Sequence, residues 1–351
     1  MEPAIPAHLR CPRTRPQRIR EDYQPPYPAW VARLDSSVKQ AVMAYLGVQY
    51  RDSAGEATAR HAIVRWKALA TRVDGPSHHD VAHYQDEAGF DTLVLIAYWR
   101  EPAQFERWLT LDEMSKWWAS ENRATDGVGW FREVIRPVVE RFETLFSTPD
   151  GFEGVGVLAR GMSSSEIQEH AYWGGMRDRL AISQTDALRG SGLPQMEGPI
   201  AGRVRVHGSD NVALIRSGQE WTKTTGRERE VYLGEVEPVL REGMAFLRDH
   251  GPEIGCFVNR YMTHVDRSFK PLEKTFGMSM WRSLEHMERW AESHPTHVQI
   301  FGSFMKMVQA MNFDLKLLLY HEVSVVPAQD QSFEYINCHP RTGLLRCANS
   351  G

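Results

Sequence analysis

Two histidines in the last quarter of the chain are placed where chemistry is possible. His297 lies on the apolar side of a helical pattern, with Phe301, Phe304 and Val308 at helical spacing. His321 alternates with Leu319, Val323 and Val325 on one face of the strand pattern Leu317–Val325. A polar imidazole among apolar neighbours needs a partner, because burying it unsatisfied costs on the order of 1–3 kcal/mol. Two histidines, one per element, that face an apolar space suit a haem pocket. One would be the axial ligand and the other would stand over the open iron position. Periodicity alone is equally compatible with two core histidines bonded to backbone carbonyls. His294 competes with His297 as ligand, but it precedes Pro295 at the start of the helix, where a capping role is expected.

These residues sit in ordered motifs that run through nearly the whole chain. They include Cys11-Pro12-Arg13-Thr14, Gly75-Pro76-Ser77-His78-His79-Asp80 and Tyr172-Trp173-Gly174-Gly175-Met176-Arg177-Asp178-Arg179. They continue with Leu214-Ile215-Arg216-Ser217-Gly218-Gln219, His294-Pro295-Thr296-His297, Tyr320-His321-Glu322-Val323-Ser324-Val325 and Tyr335-Ile336-Asn337-Cys338-His339-Pro340. In these motifs the chain resembles the aldoxime dehydratases, haem b enzymes that convert R–CH=N–OH into a nitrile and water. The resemblance implies a homodimeric lyase whose iron is ferrous in the active state, while four cysteines without metal-site spacing suggest a cytoplasm. It implies His297 as axial ligand and His321 as the distal acid–base group. Ser217, Arg179 and Glu143 match polar residues of the family's distal pocket, with Arg177 left as an alternative to Arg179. A haem peroxidase-like enzyme and a haem carrier without catalysis are the competing readings.

The elements that must position these residues alternate along the chain. Residues 1–36 carry seven prolines from Pro3 to Pro28 and read as an extended arm. Strand patterns cover Val42–Tyr50, Phe90–Trp99, Phe142–Leu145, Val212–Gln219 and Thr275–Trp281. Helical patterns cover Ala59–Leu69, Pro102–Trp118, Glu228–Arg248 and a stretch from Leu284. A helix or turn is expected around Phe131-Arg132-Glu133, and a turn over His78-His79-Asp80 and His83, where a structural role is favoured over metal binding.

The halves repeat. Trp99-Arg100 precedes Glu106-Arg107-Trp108 at the spacing by which Trp281-Arg282 precedes Glu288-Arg289-Trp290. Aligning Gln49 with Gln219 sets Ser217 against Gly47, and the same spacing sets His297 against Ser115. One haem per chain is therefore expected, in the second repeat. The expected fold is α+β: duplicated ferredoxin-like β-α-β-β-α-β repeats forming a central antiparallel sheet or open barrel flanked by helices. The parts are the arm (1–36), a first repeat (37–150), a connecting segment that contributes to the distal pocket (151–206) and a second repeat with the haem ligand (207–345).

Composition sets the outer bounds. The 351 residues are 42% hydrophobic and 25% charged with a net charge of −4, which is ordinary for a globular protein and gives nucleic acid or an acidic membrane no general electrostatic attraction. No apolar run approaches the roughly 20 residues of a membrane span. Cys11, Cys256, Cys338 and Cys347 lack metal-site spacing and suggest reduced thiols. The Met, Phe and Trp content suggests an apolar substrate pocket without selecting among alkyl and aryl oximes.

Overall fold

The structure, a computed structural model, describes residues 1–200 and 202–350. The first half holds β1 (Val42–Tyr50), α1 (Ser53–Ala70), β2 (His78–Gln85), β3 (Asp91–Trp99), α2 (Pro102–Thr110), α3 (Asp112–Ala119), β4 (Gly129–Ile135) and β5 (Phe142–Phe146). A connection follows with α4 (Gly175–Arg179), β6 (Gln195–Ile200) and β7 (Arg203–His207). The second half holds β8 (Val212–Glu220), α5 (Gly226–Val231), α6 (Glu237–His250), β9 (Cys256–Val265), β10 (Pro271–Trp281), α7 (Leu284–Ser293), α8 (Pro295–Ala310), β11 (Leu318–Val326), β12 (Gln331–Ile336) and β13 (Asn349–Ser350).

Within one thirteen-stranded sheet the order β4-β1-β3-β2 in the first half is repeated as β11-β8-β10-β9 in the second. Each is the strand order of a ferredoxin-like unit. The halves join through β2 and β9, where only Ala82↔His264 and His83↔Thr263 pair. Each half also lends a strand to the other: β5 follows β4 in the chain but pairs with β11, and β12 follows β11 but pairs with β4. The inner faces of the half-sheets enclose one apolar cluster that includes Tyr45, Phe131, Phe276, Met280 and Tyr335. The outer face of the first half is covered by α1, α2 and α3, and that of the second by α6, α7 and α8.

Three expectations change. Phe131-Arg132-Glu133 is strand, not helix or turn: Phe131 and Glu133 are fully buried while Arg132 is half-buried on the other face. His78-His79-Asp80 opens β2 instead of a turn. Pro102–Trp118 breaks into two helices at Leu111, whose extended backbone leaves the helical region.

The repeat alignment also shifts by one residue. Trp99 pairs with Val42 and Trp281 with Ala213, so Gly47 corresponds to Gly218, not Ser217. Packing agrees, because a Cβ at Gly47 would run into the Phe131 ring and one at Gly218 into Tyr320. A one-residue slip moves a side chain to the other face of a sheet. Ser217 therefore corresponds to Leu46, on the outer, helix-covered face. The match of His297 to Ser115 survives, since Trp108 packs on Trp99 at 5.3 Å and Trp290 on Trp281 at 5.5 Å.

The counterpart pocket of the first half is filled. Where His321 pairs with Ser217, Arg132 pairs with Leu46. Arg132 lies over Trp118 at 4.9 Å, and Trp117 packs edge-on against Trp130 at 4.9 Å. α3 has 8 residues, half the 16 of α8.

The arm is extended apart from a short turn of helix at Ala7–Leu9, and it lies on its own chain. Ala4 N–H donates to Glu169 Oε2 at 3.0 Å, Thr14 N–H to Gln184 O at 2.9 Å, and Trp30 bridges to Phe146. No described helix is long and apolar enough to cross a membrane.

Candidate active site

The site is built on the outer face of the second half, between β11, β8 and α8. His321 faces Ser217 across the β8–β11 pair and Leu145 across the β5–β11 pair. One step along, Val323 lies between Ile215 and Glu143, and packs with Ile215, Met244, Met287 and Ile300 beneath the helices. At the other end Leu319 packs with Phe304, Met307 and Met311. α8 thus joins the apolar clusters over the strand face through Ile300 at one end and Phe304 and Met307 at the other.

Local sequence fixes His297. His294 caps α8, its ring nitrogen accepting from Thr296 N–H at 3.4 Å while the ring packs on Phe246 at 4.5 Å. That role occupies its Nδ1. His297 donates from Nδ1 to the carbonyl of Ala291 at 2.8 Å. A carbonyl can only accept, so Nε2 keeps the lone pair that an iron needs. The ring is held between Trp290 at 4.6 Å and Trp173 at 5.6 Å. Burial lowers its pKa and favours the neutral imidazole.

His321 makes no ring hydrogen bond among the described residues. Its pKa is pushed down to about 4 by burial first, then by the positive charges of Arg179 and His297. The Ser217 hydroxyl likewise has no hydrogen-bond partner among the described residues, the Gln219 side chain reaching its carbonyl instead.

Arg179 and Glu143 form a bidentate pair, Nε to Oε2 at 2.7 Å and Nη2 to Oε1 at 2.9 Å, and Arg179 Nη1 donates to Glu169 O at 2.8 Å. Burial raises the Glu143 pKa and Arg179 opposes that rise. The pair comes from two distant segments. β5 carries Glu143 to the second half, and the positive φ of Gly174 (+100°) turns the chain into α4. Arg177 points elsewhere, to Glu288 on α7 at 2.6 and 2.8 Å. Arg179 is therefore the arginine beside His321. Of the remaining histidine candidates, His78 meets Asp80 at 3.3 Å on β2, and among the described residues no cluster has the makings of a metal site.

The side chains beside His297 suit a large flat apolar group. Trp173 is 42% and Phe301 37% exposed, and Trp173 packs on Phe301 at 5.2 Å and on the half-buried His297 ring at 5.6 Å. α8 buries only Met307 and Val308 of its apolar residues. Apolar surface gathered in this way marks a binding site, and a neutral imidazole with a free nitrogen and aromatic walls suits a haem. Sequence reasoning missed the role of Trp173, which lies 5.2 Å from Phe301. It stands within a motif of the sequence, but no periodicity links it to α8.

A family model for haem-containing dehydratases matches residues 44–344. The aliphatic aldoxime dehydratase of Pseudomonas chlororaphis is 48% identical, covering 99% of this chain and 99% of that protein. That of Rhodococcus erythropolis is 46% identical, covering 99% and 98%. The phenylacetaldoxime dehydratase of Bacillus sp. (strain OxB-1) is 33% identical over 93% of each chain. A crystal structure of an aldoxime dehydratase superposes with a TM-score of 0.95 at 48% identity over 100% of both chains. Another, in complex with butyraldoxime, has a TM-score of 0.95 at 46% identity over 100% of this chain and 98% of that one.

Proposed function

The chain belongs to the haem-containing dehydratases, and from that premise we propose how its own residues share the work of turning an aldoxime into a nitrile and water. It is a lyase of the aldoxime dehydratase kind, and haem is its cofactor. Bound haem b, in its ferrous state, supplies an electron-rich iron for the oxime nitrogen.

His297 holds the haem through Nε2. The observation that carries this is the Nδ1–H bond to Ala291, which commits the other nitrogen to ligation and raises its basicity. His321 handles protons. Hydroxide leaves poorly, so the N–OH oxygen must be protonated as the N–O bond breaks, and the proton on carbon must be removed. One imidazole can give the first and take the second. Ser217 donates to the oxime hydroxyl and aims it at His321, the residue it pairs with.

Arg179 and Glu143 set the charge around His321. An unpaired guanidinium there would disfavour the imidazolium, and the Glu143 carboxylate offsets it at 2.7 Å. The substrate is an aldoxime, bound against Leu145, Ile215 and Leu319 on the strand face, which favours an apolar R group. A peroxidase has no specific observation in its favour.

The chain is also proposed to act as a homodimer in the cytoplasm. That rests on family membership, since the arm is occupied on its own chain. Light scattering at catalytic concentration tests it, and a monomeric mass would end the idea.

The deciding experiment is turnover of butyraldoxime by haem-loaded enzyme with and without dithionite, set against hydrogen peroxide with a reducing dye. Nitrile formed only by reduced enzyme is the expected result. Dye oxidation without nitrile would overturn the reading.

A further inference from the structure

Neighbouring residues of a strand point to opposite faces. Behind Ser217 is Arg216, and behind His321 is Glu322, both turned into the closed interior between the half-sheets. Arg216 is fully buried. Its Nη1 donates to the Tyr98 hydroxyl at 2.7 Å and its Nη2 to Asp80 at 3.1 Å, with His264 Nε2 at 3.3 Å. The Tyr98 hydroxyl in turn donates to Glu322 Oε1 at 2.8 Å, and Val155 N–H donates to Glu322 Oε2 at 2.6 Å. One oxygen, on β3 of the first half, therefore ties together the two second-half strands that carry the reacting side chains.

The repeat supplies an internal comparison. Arg216 corresponds to Tyr45 and Glu322 to Glu133, because Arg216 pairs with Glu322 as Tyr45 pairs with Glu133. Glu133 is also buried, but it takes Arg260 at 2.6 and 2.7 Å and the Tyr335 hydroxyl at 2.8 Å. That second system lies behind Arg132 and Leu46, where the pocket is filled. Two buried ion systems of similar chemistry thus cross the interior, and only one backs the site.

We propose that Tyr98 is a positioning residue for the dehydration: by bonding Arg216 and Glu322 from behind, it fixes the alignment of Ser217 with His321. The first half, whose counterpart face is filled by Arg132 and Trp118, then serves as the template for the pocket of the second. This rests on the roles given above to Ser217 and His321. The physical ground is the sensitivity of proton transfer to placement, where a misplacement of about 1 Å costs roughly 10²-fold. Removing the hydroxyl leaves a buried guanidinium and a buried carboxylate each one bond short, and they regain partners only by shifting the strands.

The test uses full-length, haem-loaded enzyme as parent, Tyr98→Phe and Tyr335→Phe. The reduced proteins are saturated with carbon monoxide and the C–O stretch is recorded, since it reports polar groups beside the iron. Turnover of butyraldoxime is measured separately. Tyr98→Phe is expected to shift or split the stretch and to lower kcat about tenfold with KM within about twofold, the pattern of lost alignment in the transition state. Tyr335→Phe is expected to melt earlier but keep the parental stretch and kcat. A parental stretch and kcat in Tyr98→Phe overturns the proposal, as does an equal fall of kcat in both variants. If Tyr98→Phe does not retain haem, Glu322→Gln is read by the same criteria. A parent without turnover would sink the functional reading itself, and the stretch alone would then decide the positioning role.

Discussion

His321 on β11 and Ser217 on β8 are directly opposed across an antiparallel pair, on the face that α8 covers. Side chains so opposed have Cβ atoms about 4.5–5.5 Å apart, room for one small polar group to touch both. An oxime hydroxyl is such a group, and the pair gives it one donor to orient it and one imidazole to exchange its proton.

Replacing His297 by Ala should give a folded protein with little haem. His294 is not expected to take over, because its ring caps the helix and packs on Phe246. Haem content by pyridine haemochrome and fold by circular dichroism decide this. Full occupancy with an unchanged Soret band would reject His297 as the ligand.

His321→Ala should keep its haem and lose turnover by roughly 10²–10⁴-fold, the usual contribution of a positioned acid or base. The loss should fall on kcat, since the proton is needed in the transition state. Ser217→Ala should lose less, and the double variant should lose less than the sum of the two in free energy, because both act on one hydroxyl. Parental nitrile formation in a single turnover of reduced His321→Ala would make it a packing residue, and loss of haem would reverse the two sides of the pocket.

Glu143→Gln should be worse than a simple loss of charge. It leaves Arg179 buried without its carboxylate, a change that costs about 3–5 kcal/mol in comparable pairs. The freed guanidinium also disfavours a proton on His321, and the proposed role needs that proton, so the alkaline limb of the kcat profile should move to lower pH. An unmoved profile would separate Arg179 from the proton chemistry.

Removing residues 1–36 should destabilise the pocket itself. Ala4 and Val31 pack with Ile167 and Leu145, and Leu145 pairs with His321. A lower melting temperature and faster loss of haem to apomyoglobin are expected. Parental values for both would show the arm to be dispensable.

Acid sensitivity should be carried partly by His170. It is 1% exposed, and neither ring nitrogen has a partner among the described residues. Burial, then Arg179, pushes its pKa down to about 4 from the ordinary 6.5. A base that is harder to protonate when folded favours unfolding as protons are added. Its contribution is therefore intact above pH 6.5 and is lost as pH falls toward 4, on the order of 3 kcal/mol at the acid end. His170→Phe should flatten the decline of melting temperature over that window. An unchanged slope would refute the assignment.

Much of the site could be read from the letters, because the relevant signals are local. A helix period of 3.6 and a strand period of 2 assign His297 and His321 to faces without any knowledge of the fold. The Trp-Arg repeat likewise shows the duplication, since each copy builds its own ferredoxin-like unit. What remained hidden was long-range. Phe131-Arg132-Glu133 gives no strand signal, because Glu133 is an inward residue whose burial is made tolerable only by Arg260 and Tyr335 from elsewhere in the chain. Matching the two glutamines placed Ser217 one residue out of register, an error that inverts its face. Only pairing of Trp99 with Val42 and Trp281 with Ala213 corrects it.

The sequence by itself determined the chemistry available: two histidines, a serine, an arginine and a glutamate in recognisable order. The tertiary structure decided which of them meet. Glu143 reaches Arg179 because β5 leaves its own half to pair with β11. Arg177 is excluded because it is spent on Glu288. Tyr98 comes to stand behind Ser217 and His321 because the two half-sheets close face to face. None of these contacts has a local cause, since each depends on which strands become neighbours, and side-chain pattern within a segment carries no record of that choice.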